Sequence, residues 1–540
     1  DAAVSGGARA MGLDDCDGIA PGKQFANTGV TVRVAKALAR HGIEKRADEK
    51  WPDAMGRYRT ACAKRRASRL RVLAGTRWVY CRHYVMGGSH YAYTEALSDA
   101  QSERTYLPIG SSLCLAEATP DGFWRETALL ESKEGCFRDA DVSPDGTRIL
   151  YSFKASDRGD DFHLYEMNAD GTDCRQLTSG IFDDLDPIYL PDGRHYVFTS
   201  TRGHTYVRCM PPTNAYALMR GTFGEDDLYF ISANNEPDYL PSVLNDGRVA
   251  YTRWEYTDKP LWRAQSLWTV NPDGTQANTL WGNQSVWPDV LKDVRAIPGS
   301  SRVMFTGSAH HNWFSGVIGI VDPDAGSSFP KGLAKVTREL AWPECGNGPQ
   351  DPGESSAYRA YGKWDAYMSP WPLSEKDFLV SASRNGKFAL YLMDTDGNRE
   401  LVYVGVNNIF HFMPLQPRPR PPVVADRVTL PSRADRLNPA DGTSYSPDVH
   451  EGVPEKMKGQ IKYLRVWYLE QKTYTYWDHR PALSTGPVVS GVQTDGVKRY
   501  LGEVPVHADG SVWFRAPSGL ALHFQALDAK GKMVQSMRSG

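Results

Sequence analysis

The feature that most constrains this chain is a tight turn that keeps returning at one spacing. Pro144-Asp145-Gly146 is followed by Thr147-Arg-Ile-Leu-Tyr-Ser-Phe153, and Asn168-Ala-Asp-Gly171 follows the next apolar run. The glycine supplies positive φ, and Pro or Asp presets the turn. Alternating apolar residues on either side read as antiparallel strands, so the segment from Arg138 to Thr178 is a four-stranded unit. The unit recurs at Asp186-Pro-Ile-Tyr-Leu-Pro-Asp-Gly193, at Pro241-Ser-Val-Leu-Asn-Asp-Gly247 with Leu267-Trp-Thr-Val-Asn-Pro-Asp-Gly274, at Ala296-Ile-Pro-Gly-Ser300, and at Leu390-Tyr-Leu-Met-Asp-Thr-Asp-Gly397. Turn-to-turn spacing is about 45 to 55 residues, which is the period of a propeller blade. The expectation is an all-β propeller over 76–415. Six blades are counted, residues 77–130 forming one of them, and 325–372 is left open as the place of a seventh.

The flanks differ from the repeats. Val30 to Gly42 and Met55 to Leu73 carry helical spacing, so 1–75 reads as a helical extension. Its basic run Lys64-Arg65-Arg66 reads as a solvated helix face. Gln416-Pro-Arg-Pro-Arg-Pro-Pro422 is a stiff polyproline spacer. Beyond it, 423–540 reads as a small β domain with strands such as Ile461-Lys-Tyr-Leu-Arg-Val-Trp-Tyr468 and Ser511-Val-Trp-Phe514.

Composition narrows the partners. A net charge of −2 over 540 residues gives no electrostatic case for nucleic acid or an anionic membrane surface. No stretch approaches the roughly 20 apolar residues of a membrane span. The 15 Trp and 27 Tyr suit pleated sheets, and some could stack on sugars in a cleft. Cys16, Cys62, Cys81, Cys114, Cys136, Cys174, Cys209 and Cys345 make an even, widely spaced set, which suits an oxidising compartment and some disulfides. The chain opens Asp1-Ala2-Ala3, as a processed chain would, and the expected location is periplasmic or secreted. No C-x-x-C-H occurs, so no c-type haem attaches within these residues.

Longer stretches carry a resemblance. Gly87-Gly-Ser-His-Tyr-Ala-Tyr-Thr-Glu95, Phe162-His-Leu-Tyr-Glu-Met167, Tyr251-Thr-Arg-Trp-Glu-Tyr256 and Gly307-Ser-Ala-His-His311 are four of them. Gln416 to Pro422, Tyr500-Leu-Gly-Glu-Val-Pro-Val506, and Ala526-Leu-Asp-Ala-Lys-Gly531 with Met537-Arg-Ser539 are the others. Together they resemble the hydrazine synthase α-subunit-like family of bacterial extracytoplasmic proteins. The resemblance implies a TolB-like propeller and a C-x-x-C-H haem motif following the Met-Arg-Ser segment. It implies no catalytic residue in this chain, because the family's nitrogen chemistry is carried by haem.

Candidate chemistry gathers where a propeller's blades converge. On an extended strand Tyr251, Arg253 and Glu255 share one face, with Trp254 on the other. An arginine that clamps a carboxylate, beside Tyr and Glu that move protons, is the set a uronate-cleaving elimination needs. The structural alternative pairs Arg253 and Glu255 with neighbouring blades. His310 and His311, followed by Trp313, read as metal ligands, with His311 also a general base. The ion would be divalent, Ca or Mn, by analogy with oligogalacturonate lyases, which share the propeller architecture. His90, Tyr91, Tyr93 and Glu95 form a polar aromatic loop, His90 and Tyr91 as catalytic groups, and Arg202 and Asn235 are loop candidates for substrate. Asp183, Asp184 and Asp186 read as acidic turn chemistry, since they lack a full calcium ladder. The functional expectation is a carbohydrate-active lyase or hydrolase on an acidic polysaccharide or other small extracellular ligand. The alternatives are a hydrazine-synthase-like redox subunit with its haem segment elsewhere, and a binding or assembly module.

Overall fold

The computed structural model describes residues 49–83, 110–119, 124–156, 160–208, 214–255, 264–282, 285, 288–308, 315–340, 342, 366–384, 387–430, 440–473 and 497–537. The segment 30–42, the loop residues His90, Tyr91, Tyr93 and Glu95, the His310–Trp313 stretch, and Cys16, Cys209 and Cys345 lie outside the described residues.

Helix α1 (Trp51–Leu70) leads into strands that meander outward from a common axis. The first blade is β4 (Cys136–Val142), β5 (Arg148–Lys154), β6 (His163–Asn168) and β7 (Arg175–Gln176). The second is β8 (Asp184–Tyr189), β9 (His195–Ser200), β10 (Ala217–Thr222) and β11 (Tyr229–Phe230). The third is β12 (Asp238–Val243), β13 (Val249–Trp254), β14 (Gln265–Val270) and β15 (Asn278–Trp281). The fourth is β16 (Val290–Ala296), β17 (Val303–Ser308), β18 (Gly316–Val321) and β19 (Leu333–Lys335). The fifth is β20 (Ala366–Pro372), β21 (Asp377–Arg384), β22 (Lys387–Asp394) and β23 (Arg399–Tyr403).

The sixth blade takes its inner strand from one end of the propeller and the rest from the other. β24 (Asn408–Pro414) pairs antiparallel with β1 (Arg77–His83), which continues through β2 (Ser111–Ala118) to β3 (Trp124–Ser132). Each inner strand packs on the next, β4 on β8, β12, β16, β20 and β24 in turn, and β24 packs back on β4. The ring therefore closes with six blades. The stretch left open for a seventh contributes β19 to blade four and β20 to blade five.

Every inner strand carries a bulge at the same height. The register slips at Arg138/Asp141, Leu185/Ile188, Tyr239/Ser242, Lys292/Arg295, Met368/Trp371, and opposite Val79/Cys81 on β24. At each slip one non-glycine residue has positive φ, close to 50°: Asp139, Asp186, Leu240, Asp293, Ser369 and His411. Bulges of this kind turn a strand and re-aim its side chains. Here they bring six residues from remote parts of the chain around one axis. Aspartate and histidine tolerate this backbone region better than a β-branched residue.

Residues 415–430 run across the propeller as a strap held at several points. The Arg418 amide donates to Pro144 O at 3.0 Å and its guanidinium to Val142 O at 2.5 Å. Asp426 pairs with the buried Arg220 at 2.6 Å, and the Arg427 amide donates to Asp273 at 2.6 Å. Gly247 lies so close to Pro422 that a Cβ there would stand 2.1 Å from the Pro422 carbonyl oxygen.

The C-terminal part has two sheets. β25 (Asp441–Ser446) pairs with β28 (Val512–Pro517), and β27 (Lys498–Pro505), β26 (Tyr463–Leu469), β29 (Leu522–Leu527) and β30 (Met533–Ser536) form the other. Val466, Val512, Phe514 and Ala516 are its buried core. The basic run on α1 anchors the helix to blade five. Arg65 pairs with Glu400 at 3.0 Å, Arg69 with Asp394 at 2.7 Å, and Arg66 donates to Leu401 O. The solvated face expected for that run is therefore partly a docking face, with Lys64 exposed. No helix of the described residues is long and apolar enough to cross a membrane.

Candidate functional site

The six bulges surround a cavity on the axis. It is lined by Asp139, Asp141, Asp186, Leu240, Asp293, Arg295, Ser369, Trp371 and His411 with their neighbours. Most of its carboxylates are spent on holding blades together. The Leu240 amide donates to Asp186 at 3.3 Å, the Ser369 amide to Asp293 at 3.2 Å, and the Tyr189 amide to Asp141 at 2.7 Å. In each case an aspartate from one blade accepts an amide from the next.

Asp139 and Asp186 meet directly. Arg138 pairs with Asp139 and reaches Asp186 at 3.5 Å, while His411 Nδ1 stands 3.5 Å from Asp139. Burial opposes ionisation of Asp139, but Arg138 and His411 outweigh it and hold that carboxyl below its ordinary value. For Asp186, burial and then the Asp139 charge push the carboxyl well above its ordinary value. Of the two, Asp139 ionises the more easily and Asp186 resists ionisation beside it. Opposite them, Arg295 lies over the Trp371 ring at 5.1 Å, and Arg418 from the strap lies over the same ring at 5.7 Å.

The sequence candidates fall elsewhere. Tyr251, Arg253 and Trp254 are on β13, the second strand of blade three and not its inner strand. Tyr251 and Trp254 are fully buried, Arg253 and Glu255 nearly so. Arg253 faces Asp238 at 3.6 Å, donates to Ala233 O at 3.1 Å, and covers the Trp268 ring at 4.7 Å. Burial, then Asp238, pushes the Tyr251 phenol up. Strand alternation put Tyr251 and Arg253 on one face, as they are, but that face packs against protein.

Arg202 forks onto Asp184 at 2.6 and 3.2 Å and lies over Phe182. Asn235 donates to Leu469 O at 2.9 Å, across the contact with the C-terminal part. That contact also includes Tyr206 N to Lys472 O at 2.9 Å, Lys472 Nζ to Val207 O at 3.0 Å, and Arg208 to Glu470 O at 3.0 Å. Under it Glu236 accepts the Arg208 amide at 3.1 Å, and burial pushes its carboxyl up to about 7. Asp183 accepts the Phe162 amide at 2.9 Å, and burial raises it to about 6.

Among the described residues no group of three or more His, Cys, Asp or Glu is arranged to hold a metal ion. The described cysteines, Cys62, Cys81, Cys114, Cys136 and Cys174, are free thiols rather than disulfides. Burial pushes Cys114 and Cys136 up to about 12, which makes them inert core thiols. Of the axial residues the sequence singles out only Asp186, as acidic turn chemistry, whereas it lies on the inner strand β8; the others were passed over because they sit in the turn-flanking motif itself. Asp139, Asp186 and Asp293 all lie a few residues before the recurring turn, and that shared offset was the available signal.

Comparison with known proteins agrees with this architecture. Residues 459–540 match the model of the hydrazine synthase alpha subunit middle domain. The Kuenenia stuttgartiensis hydrazine synthase structure superposes with a TM-score of 0.63 at 16% identity, over 86% of this chain and 67% of that one. TolB from Acinetobacter baumannii follows with a TM-score of 0.39 at 12% identity, over 63% and 66%. An oligogalacturonate lyase in complex with manganese gives 0.31 at 12%, over 61% and 73%. No curated protein matches the sequence. Residues 459–540 are therefore similar to the hydrazine synthase alpha subunit middle domain, and the chain as a whole shares its fold with the Kuenenia stuttgartiensis hydrazine synthase structure.

Proposed function

We propose that this chain is the propeller-bearing part of an extracytoplasmic redox subunit of the hydrazine synthase alpha kind. The propeller is its rigid platform, and the electron chemistry is carried elsewhere in the full-length product. The observation that supports this reading is the seating of the middle-domain stretch. Asn235, Arg208 and Lys472 tie it to blades two and three through backbone carbonyls. Backbone acceptors buried across a contact need fixed partners, so such a seam resists sliding.

The haem that the family implies does not fit the residues at hand. The sequence has no C-x-x-C-H, Cys81, Cys114 and Cys136 are buried within strands, and Cys174 stands alone on the surface. No step is therefore routed through haem here. What these residues do is hold the neighbouring domain in one orientation. The polysaccharide reading draws no support from Tyr251, Arg253 and Glu255, since their burial offers no surface to a polymer.

The test is Soret absorbance and haem staining of the full-length gene product. A haem signal there, with none on residues 1–540 alone, is the expected result. A haem-free full-length product that generates unsaturated product from uronate-containing glycans would replace this reading with the lyase one.

A further inference from the structure

We propose that the axial cavity binds a small planar oxyanion of the carboxylate type, held by Arg295. This does not rest on the haem reading.

Charge is the first argument. Each aspartate around the cavity faces a partner, although Asp139 Oδ1 and Asp186 Oδ1 have only an ion-pair neighbour and no hydrogen bond. Asp139 faces Arg138 and Asp186, Asp141 accepts the Tyr189 amide and faces Arg418 at 3.4 Å, and Asp293 accepts from Ser369 N and from Thr306 Oγ1 at 2.9 Å. Arg138 and Arg418 are likewise used. Arg295 is different: among the described residues it makes no hydrogen bond and no ion pair, only the stacking contact with Trp371. Burial makes its charge costly, which Asp141 and Asp293 oppose from a distance.

Geometry is the second argument. A guanidinium packed over an indole keeps its N–H edge for a partner in the plane, and a two-oxygen acceptor fits that edge bidentately. Ser369 Oγ also lines the cavity and has no hydrogen-bond partner. A hydroxyl and a guanidinium edge together can donate three hydrogen bonds to one anion.

Size is the third. The cavity is ≈ 40 Å³, room for about three water-sized atoms. Formate and nitrate are of that scale and match the planar guanidinium edge, which a tetrahedral anion such as sulfate or phosphate matches less well. Among the described residues no group of His, Cys, Asp or Glu is arranged to hold a metal ion there.

The experiment is thermal unfolding of the 540-residue chain in sodium formate, nitrate, sulfate and chloride at matched ionic strength. Formate and nitrate are expected to raise Tm saturably above chloride, with sulfate no better than chloride. Arg295→Gln is expected to weaken the formate midpoint at least tenfold, and Ser369→Ala several-fold. Should Arg295→Gln not fold, Arg295→Lys serves instead, since it keeps the charge and loses the fork. Equal shifts from all four salts, or an unchanged formate midpoint in the folded Arg295 variant, overturn the proposal.

Discussion

Two buried charges carry measurable consequences at the scale of single residues. Glu236 has its carboxyl pushed by burial from an ordinary 4.5 to about 7, with Arg208 and Lys472 opposing. The folded state thus prefers the protonated form. Its contribution is complete below pH 4.5 and is lost as pH rises to about 7. The size is on the order of 3 kcal/mol at 1.36 kcal/mol per unit. Glu236→Gln mimics the protonated acid. Urea unfolding of both proteins from pH 4.5 to 8 should show the variant gaining on the wild type by that amount; a constant difference would mean that Glu236 ionises freely. Arg220 is a second case. It is almost fully buried and is neutralised by Asp426 of the strap, which is partly exposed. Asp426→Ala strands that guanidinium, leaving it Pro272 O and His195 as hydrogen-bond partners and the Tyr229 ring at 5.8 Å. A loss of about 1–3 kcal/mol in urea is expected, since one partner of the pair is still solvated.

At the scale of elements, the strap can be tested through the turns it crosses. Gly193 and Gly247 sit at equivalent turns with φ of +69° and +88°. A Cβ at Gly193 meets nothing within 4 Å, whereas one at Gly247 runs into Pro422. Both alanine variants suffer the left-handed backbone, about 1–2 kcal/mol. Gly247→Ala should lose at least about 1 kcal/mol more and expose 416–430 to protease, because its neighbour is backbone and cannot swing away. Equal losses for the two variants would show that the strap is loosely held. The inner strands teach the same lesson about elements: their bulges set which side chains reach the axis, and blade number is settled by how six such strands close.

For the whole molecule, closure is the decisive feature. β24 and β1 come from opposite ends of the propeller, so blade six is a joint between distant parts of the chain. Trp78 on β1 is almost completely buried, packs edge-on against Phe412 of β24 at 6.2 Å, and anchors its indole N–H on Thr76 at 2.8 Å. Trp78→Ala should cost about 3–5 kcal/mol, the range for a large aromatic removed from a core. Because the ring shares its stability around the axis, that loss should appear as a shift of the whole propeller transition in calorimetry. A separate low-temperature transition confined to blade six would argue against a ring that unfolds as one.

The propeller was legible in the sequence because turn chemistry is local: Pro144-Asp-Gly146 and its repeats dictate a hairpin wherever they occur, and their spacing gives the period of a blade but not the final number. The strand Val249–Trp254 and its alternation were legible for the same reason. What tertiary structure alone decided is which strand is innermost and what each face meets. Tyr251 and Arg253 alternate like site residues but lie one strand out from the axis. Asp139, Asp186, Asp293, Arg295 and His411, spread over some 270 residues, become neighbours only through ring closure. Local pattern fixes hydrogen-bonded pairing and the two faces of a strand. The meeting of remote side chains depends on how the blades pack, and no short window of sequence contains that information.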